Sequence, residues 1–76
     1  MMDAGAIQST LQNAFPEAQI QVLGDDGVHF EAQIVSPQFA GKSPIARHRM
    51  VYAALGDAME SAIHALSIKA IAPDEL

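Results

Sequence analysis

A short acidic turn between two alternating segments is the feature that most limits how this chain folds. From Gln19 to Leu23 polar and apolar residues alternate, with Ile20 and Val22 apolar, and Gly24-Asp25-Asp26-Gly27 follows. Alternation predicts a strand with one buried face, and a glycine at each end of a four-residue segment favours a hairpin turn. The sequence therefore predicts two antiparallel strands joined by this turn.

The second strand of this hairpin is predicted from Val28 to Val35. Its apolar face carries Val28, Phe30, Ala32 and Ile34, and its polar face carries His29, Glu31 and Gln33. One polar face indicates a sheet that is covered on one side only.

A helix is predicted before the hairpin. Asp3 is its expected N-cap, and Pro16 ends it because the residue before proline is pushed out of the α region. Its apolar positions follow helical spacing and are Ile7, Leu11, Ala14 and Phe15. After the second strand, Ser36-Pro37 closes the strand and residues 38–42 are predicted to be a connector.

A second helix is predicted to start at Ser43-Pro44, with serine as the N-cap and proline in the first turn. Gly56 is expected inside this helix, at a cost of about 1 kcal/mol, as a mark of close approach by another backbone. The residues predicted to face inward are Ile45, His48, Val51, Tyr52, Leu55, Ala58 and Met59.

A last strand is predicted from His64 to Ile71, before Ala72-Pro73 and an acidic tail. The helix between the second and third strands acts as a crossover, so these two strands are expected to be parallel. With 76 residues the chain has room for one core only, spanning 1–76. It has no cysteine, so no disulfide stabilises that core. We expect a small α+β domain in α-β-β-α-β order, with helices on one face of a three-stranded mixed sheet.

The charge distribution limits the possible partners. The net charge is −5, yet three of the four cations, Lys42, Arg47 and Arg49, lie within eight residues that contain no acid. Net acidity argues against general nucleic-acid binding. This basic segment is either a solvated helix start or a contact for a phosphate or an acidic partner. No basic leader and no long apolar stretch are present, so a cytoplasmic protein without membrane contact is expected.

No motif in the sequence indicates an enzyme. Ala40-Gly41-Lys42-Ser43 resembles the end of a phosphate loop, but Ser36 stands where that loop needs glycine. Asp25-Asp26 is typical of a turn, more than of a catalytic carboxylate pair.

Two histidines lie at the starts of predicted neighbouring strands. His29 begins the second strand and His64 the third, so a parallel pairing brings them to one end of the sheet. They would offer two open metal ligands, and a partner or solvent must supply the others. Alternatively, His64 shares the parity of the inward residues and is tucked over a helix end. His48 lies on the apolar arc of its helix, as expected for a packed histidine.

Several blocks of the sequence resemble the BolA family. They are residues 29–36, Phe39-Ala40-Gly41-Lys42-Ser43, Arg47-His48-Arg49-Met50-Val51-Tyr52, residues 63–68 and the ending Ala72-Pro73-Asp74-Glu75-Leu76. The short turn and Val28-His29-Phe30 are most similar to the bacterial branch of that family typified by IbaG (YrbA). The resemblance covers almost the whole chain.

The resemblance implies a class II KH-like fold and a non-enzymatic adaptor. Its implied partner is a monothiol glutaredoxin with glutathione, with which it shares a [2Fe–2S] cluster in iron–sulfur trafficking or in iron or stress regulation. His64 is the implied first ligand, His29 the best match for the second, and no cofactor is expected in the isolated chain. Lys42, Arg47 and Arg49 are expected to face the partner.

The family also suggests a second function, that of a nucleic-acid-binding transcriptional regulator using Lys42, Arg47 and Arg49. The acidic balance, the arginines on different sides of their helix and the expected lack of exposed aromatic stacking residues count against it. The KH phosphate-clamping Gly-x-x-Gly is matched only by the acidic turn at residues 24–27.

Overall fold

The computed structural model describes residues 4–24, 29–56 and 66–76, which form the two helices and three strands predicted from the sequence and two short 3-10 turns that were not predicted. In chain order they are α1 (Ala4–Ala14), β1 (Gln19–Leu23), β2 (Phe30–Val35), a 3-10 turn (Pro37–Phe39), α2 (Pro44–Leu55), β3 (Leu66–Ile71) and a second 3-10 turn (Pro73–Glu75). The α-β-β-α-β order is confirmed.

The three strands form one mixed sheet in the order β1-β2-β3. β1 pairs antiparallel with β2, with Val22 opposite Ala32. β2 pairs parallel with β3, with Phe30 opposite Leu66. The crossover that contains α2 therefore connects parallel neighbours, as predicted.

The core lies on one face of this sheet, between the strands and both described helices. Its buried apolar residues include Ile7, Leu11, Val22, Phe30, Ala32, Ile34, Val51, Leu55 and Leu66. The strand members alternate along β2, which confirms that helices cover one face only. None of the described helices is long and apolar enough to cross a membrane.

Some expectations fall outside the described residues. They are the Asp3 cap, the turn residues Asp25, Asp26 and Gly27, the strand position Val28, the helix positions Ala58 and Met59, and His64. In the described part, α1 buries Ile7 and Leu11 as predicted, whereas Ala14 is exposed.

The start of α2 is the one predicted, but its buried face is narrower. Ser43 Oγ accepts a hydrogen bond from the Ala46 N–H at 3.1 Å, and Pro44 occupies the first turn. The inward positions proposed for Ile45 and Tyr52 are wrong, because these side chains are 66% and 38% exposed. The helix packs through Val51 and Leu55 instead, with Met50 and Ala54 beside them.

Gly56 has a different role from the one predicted. It is the C-cap of α2, with φ +71° and ψ −179°, and its N–H donates to the Tyr52 carbonyl at 3.0 Å. A Cβ at this position would meet nothing within 4 Å. The glycine is thus required by its backbone conformation, which almost only glycine adopts, and not by close packing.

The segment predicted as a plain connector contains a core residue. Ser36 caps the 3-10 turn by accepting from the Gln38 N–H at 3.1 Å. This turn directs Phe39 inward, where it is fully buried and its ring lies 5.5 Å from that of Phe15. The connector is therefore held against Phe15, the residue that directly follows α1.

Candidate metal and partner-binding site

His29 lies immediately before β2, at the end of the sheet where β2 and β3 both begin. Its side chain is exposed, whereas the next residue, Phe30, is 5% exposed and belongs to the core. Glu31 is again exposed. His29 and Glu31 are the sequence neighbours of the buried Phe30. Packing of Phe30 in the core therefore fixes the backbone position of both exposed residues.

The absence of a side chain at Gly24 leaves space for the ring of Phe30. A Cβ at Gly24 would lie 2.9 Å from Cε1 of Phe30 and would clash with Cδ1 of the same ring. It would also lie 3.0 Å from the His29 carbonyl oxygen. The end of β1 and the start of β2 therefore approach each other in a way that only a residue without a side chain allows.

An open hollow of about 300 Å³ adjoins His29. It is lined by Leu23, Gly24, His29, Phe30, Glu31 and Ser67. An imidazole, a carboxylate and a hydroxyl thus border one solvent-facing space, and imidazole and carboxylate are both common metal ligands. No motif in the sequence marks Glu31 or Ser67 as a site residue, although the parity of β2 places Glu31 on the polar face.

His64 lies outside the described residues, so its pairing with His29 stays a prediction. The structure does bring the starts of the two strands level, since Phe30 pairs with Leu66, two residues after His64 in the sequence. Among residues 4–24, 29–56 and 66–76 there is no group of three or more His, Cys, Asp or Glu placed to hold a metal ion.

The residues at this end of the sheet offer an imidazole and a carboxylate as metal ligands. The chain has no cysteine, so it supplies no thiolate. An exposed imidazole beside an open hollow can act as a histidine ligand of the kind that replaces cysteine on one iron of some [2Fe–2S] centres. His29 is the described residue that would take this part.

Arg47, expected to face a partner, is bound within the chain. Its Nη1 and Nη2 donate to Oε1 and Oε2 of Glu75, both at 2.7 Å. Nη1 also donates to the Ala70 carbonyl and Nε to the Lys42 carbonyl, each at 3.0 Å. With its side chain 11% exposed, Arg47 joins α2 to the end of β3 and to the C-terminal turn.

This pairing changes the ionisation of both groups. The hydrogen bond from Arg47, with a second one from the Ala72 N–H, lowers the pKa of Glu75 to about 2. The hydrogen bond to Glu75 raises the pKa of Arg47. The two charges therefore largely satisfy each other at neutral pH. No local pattern in the sequence indicates this pair, because its members lie 28 residues apart.

Lys42 and Arg49 are exposed, and their expected contact with a partner stays a prediction. The basic segment lies towards the other end of the sheet from His29. Arg47 bonds to Ala70, which pairs with Ile34, and Ile34 is four steps along β2 from Phe30, or roughly 13 Å. The structure therefore does not combine the histidine and the basic residues in one site.

His48 is half-buried on α2. Its ring meets that of Tyr52 edge to face, with centroids 6.4 Å apart. Because Tyr52 is itself 38% exposed, this contact lies on the surface of α2, and packing of His48 into the core stays a prediction.

Comparison with known proteins identifies the family. The family model described as BolA-like protein matches residues 7–75. The structure of a bolA protein homologue from Coxiella burnetii superimposes with a TM-score of 0.82 at 42% identity, covering 99% of this chain and 96% of that one.

Two relatives show how the domain occurs in other proteins. An uncharacterized protein from the rpoN-murA intergenic region of Acinetobacter guillouiae is 37% identical over 75 residues, covering 97% of this chain and 89% of the relative. SufE-like protein 1, chloroplastic/mitochondrial, of Arabidopsis thaliana is 52% identical over 54 residues, which is 70% of this chain but 15% of that protein. With a family match over almost its whole length and the same fold as a bacterial homologue, this chain belongs to the BolA-like family.

Proposed function

We propose that this protein is a non-enzymatic adaptor that binds a monothiol glutaredoxin and shares a [2Fe–2S] cluster with it. The observation that carries the proposal is the exposed His29 beside an open hollow, at the end of the sheet where β2 and β3 start level. In this proposal His64 and His29 supply imidazole ligands. The adaptor works in the cytoplasm, in iron–sulfur trafficking or in iron or stress regulation.

The division of ligands follows from the chemistry of the chain. Glutaredoxin and glutathione supply thiolates, which this protein lacks. The bound cluster would supply electron-transfer and cluster-transfer chemistry, with a potential altered by histidine ligation. The chain's own residues set the geometry, since Gly24 and Phe30 hold the backbone at His29 against the core while its side chain stays in solvent.

The test is a titration of cluster-loaded monothiol glutaredoxin with this protein, followed by visible circular dichroism. A new spectrum should form, saturate at one to one and disappear with His64→Ala. His29→Ala should weaken or alter it if His29 is the second ligand. His48→Ala is the matched control, because it removes an imidazole from α2 and should leave the titration unchanged.

An unchanged glutaredoxin spectrum would refute cluster sharing. If calorimetry detects binding to glutaredoxin but the visible spectrum does not change, the partner is retained and the shared cluster is removed from the proposal. Loss of the new spectrum in His48→Ala would show that a residue of α2 is needed for the shared cluster and would contradict a site formed by His64 and His29 alone.

A nucleic-acid-binding regulator is the second candidate, and the exposed Lys42 and Arg49 are the observation in its favour. Arg47 is already paired with Glu75, so two cations of the segment remain open for phosphate. Two phosphate contacts predict a salt dependence of only about −2 in the slope of log K against log salt. This falls well short of the several contacts that DNA-binding domains use, so the adaptor is favoured.

A further inference from the structure

We propose that the exposed face of α2 is a docking surface for an acidic protein segment that also carries apolar side chains. This face, the α2 stripe, consists of the exposed residues Ile45, Arg49 and Tyr52 with the half-buried His48 between them in the sequence. It is separate from the His29 hollow and needs no cluster, so it goes beyond the function proposed above.

Apolar exposure is the first observation. Among the described residues the large apolar side chains that remain exposed are Leu23, Ile45, Tyr52 and Leu76, and two of these lie in the α2 stripe. Ile45 and Tyr52 are seven residues apart, which places them on one face of the helix. A β-branched side chain left 66% exposed on a small domain adds nothing to the core, whereas at an interface it would be buried.

The shape of the stripe is the second observation. The ring of His48 lies between Ile45 and Tyr52 along the helix and meets Tyr52 edge to face at 6.4 Å. This contact holds the two rings together, so less side-chain freedom is lost when a partner covers them. Tyrosine and arginine are also the residues that most often dominate the binding energy of protein interfaces.

Charge determines the kind of partner. From Ala32 to Gly56 the sequence contains no Asp or Glu, although the whole chain has a net charge of −5. Arg47 is neutralised by Glu75, which leaves Arg49 in the stripe and Lys42 before it as exposed cations. An apolar strip with cations beside it complements a segment that presents carboxylates next to apolar side chains.

The same facts favour protein over nucleic acid. The two exposed cations at this helix, on an acidic chain, supply little counterion release, and Ile45 has no role on a phosphate backbone. A helix laid along the stripe would instead cover Ile45 and Tyr52 and pair its acids with Arg49 and Lys42, as in helix-in-groove recognition.

The stripe and the His29 end are two distinct surfaces. The first turn of α2 is tied by Arg47 to the end of β3, whereas His29 lies before the start of β2. None of the stripe residues lines the His29 hollow, so the two surfaces share no residue.

The test uses the isolated, metal-free protein and defined probes. The ¹⁵N-labelled chain is titrated with a synthetic helical peptide that carries Glu on one face and Leu on the other, and amide shifts are followed by NMR. We expect saturable shifts in residues 42–53 and unmoved amides at residues 29–31. Ile45→Ser and Arg49→Glu should each weaken binding by about tenfold or more.

Matched changes elsewhere serve as controls. Leu23→Ser removes an exposed apolar side chain from β1, and Lys69→Glu reverses an exposed charge on β3. Both should bind the peptide as the unmodified protein does, and a spectrum with native dispersion shows that each variant is folded. A peptide with Lys in place of Glu should not bind.

Three results would overturn the proposal. Equal weakening by the control variants would mean non-specific attraction. Shifts of the α2 amides with a short duplex DNA but not with the peptide would make the stripe a nucleic-acid contact. Concentration-dependent shifts of the same amides without any probe would make its occupant a second copy of this chain.

Discussion

Arg47 and Glu75 show how one residue pair joins three parts of the molecule. The guanidinium bonds both carboxylate oxygens and two backbone carbonyls, while Glu75 also accepts from the Ala72 N–H at 2.9 Å. A fork of this kind has much stricter geometry than a surface lysine pair. The C-terminal turn is therefore held against α2 by the residue that the sequence suggested for a partner.

This pair predicts a specific response to acid. Because the folded-state pKa of Glu75 is about 2, below its ordinary 4.5, its contribution to stability is complete above about pH 5 and is lost as the pH falls towards 2. Thermal midpoints of the unmodified protein and Glu75→Gln should differ at pH 7 and converge near pH 2. Asp74→Asn, which removes a charge from the same turn, is the control. A constant difference between the thermal midpoints of the unmodified protein and Glu75→Gln at every pH would contradict the lowered pKa of Glu75.

Gly24 allows a second prediction at this scale. Gly24→Ala should destabilise the fold by about 1–3 kcal/mol, because the new methyl group overlaps the ring of Phe30. Denaturant unfolding measures the loss. In a Phe30→Leu background the same change should cost less, since the smaller side chain leaves room. Equal costs in the two backgrounds would show that the ring is not the cause.

At the scale of an element, the bounds of α2 are set by specific capping residues at both ends. Ser43 caps its start by a side-chain hydrogen bond, and Gly56 ends it in a conformation that other residues avoid. Between these ends only one narrow face reaches the core, through Val51 and Leu55. The exposed residues of α2 include Ile45, Arg49, Tyr52 and Ala53.

The C-cap of α2 can be tested by substitution. Gly56→Ala should lower stability by about 1–3 kcal/mol although the site has open space, because φ +71° is unfavourable for alanine. Ala53→Gly on the exposed face of α2 is a useful comparison, with an expected cost of about 1 kcal/mol from helix propensity. A neutral or stabilising Gly56→Ala would show that the backbone does not hold this conformation in solution.

At the scale of the whole molecule, a small domain depends on each core contact. Typical stability per residue gives about 4–11 kcal/mol for a chain of this size. Phe39 is fully buried and contacts Phe15, so it connects the loop after β2 with the exit of α1. It belongs to the same buried cluster as the apolar residues of the sheet and of both described helices.

Removal of this ring should therefore bring the protein close to unfolding. Phe39→Ala should cost about 3–5 kcal/mol, measured by denaturant unfolding, whereas Gln38→Ala in the same turn should change stability little. Phe39→Leu should fall between them. A small effect of Phe39→Ala would mean that the turn contributes nothing to the core.

The sequence alone determined the element order, the antiparallel and parallel pairings, the inward face of each strand and the start of α2. These follow from local causes, namely alternation, proline and a serine cap, which act between near neighbours in the chain. The family resemblance came from the same residues, and the matching family and structures confirm it.

Only the tertiary structure decided which apolar residues stay exposed and which charges are already paired. Ile45 and Phe39 are both apolar, yet one is exposed and the other fully buried, because burial depends on what the neighbouring elements leave open. Arg47 meets Glu75 only because the crossover brings α2 beside the end of β3. Contacts between residues far apart in the chain leave no periodic signal, so the separation of the histidine end from the basic helix emerges only in the folded molecule.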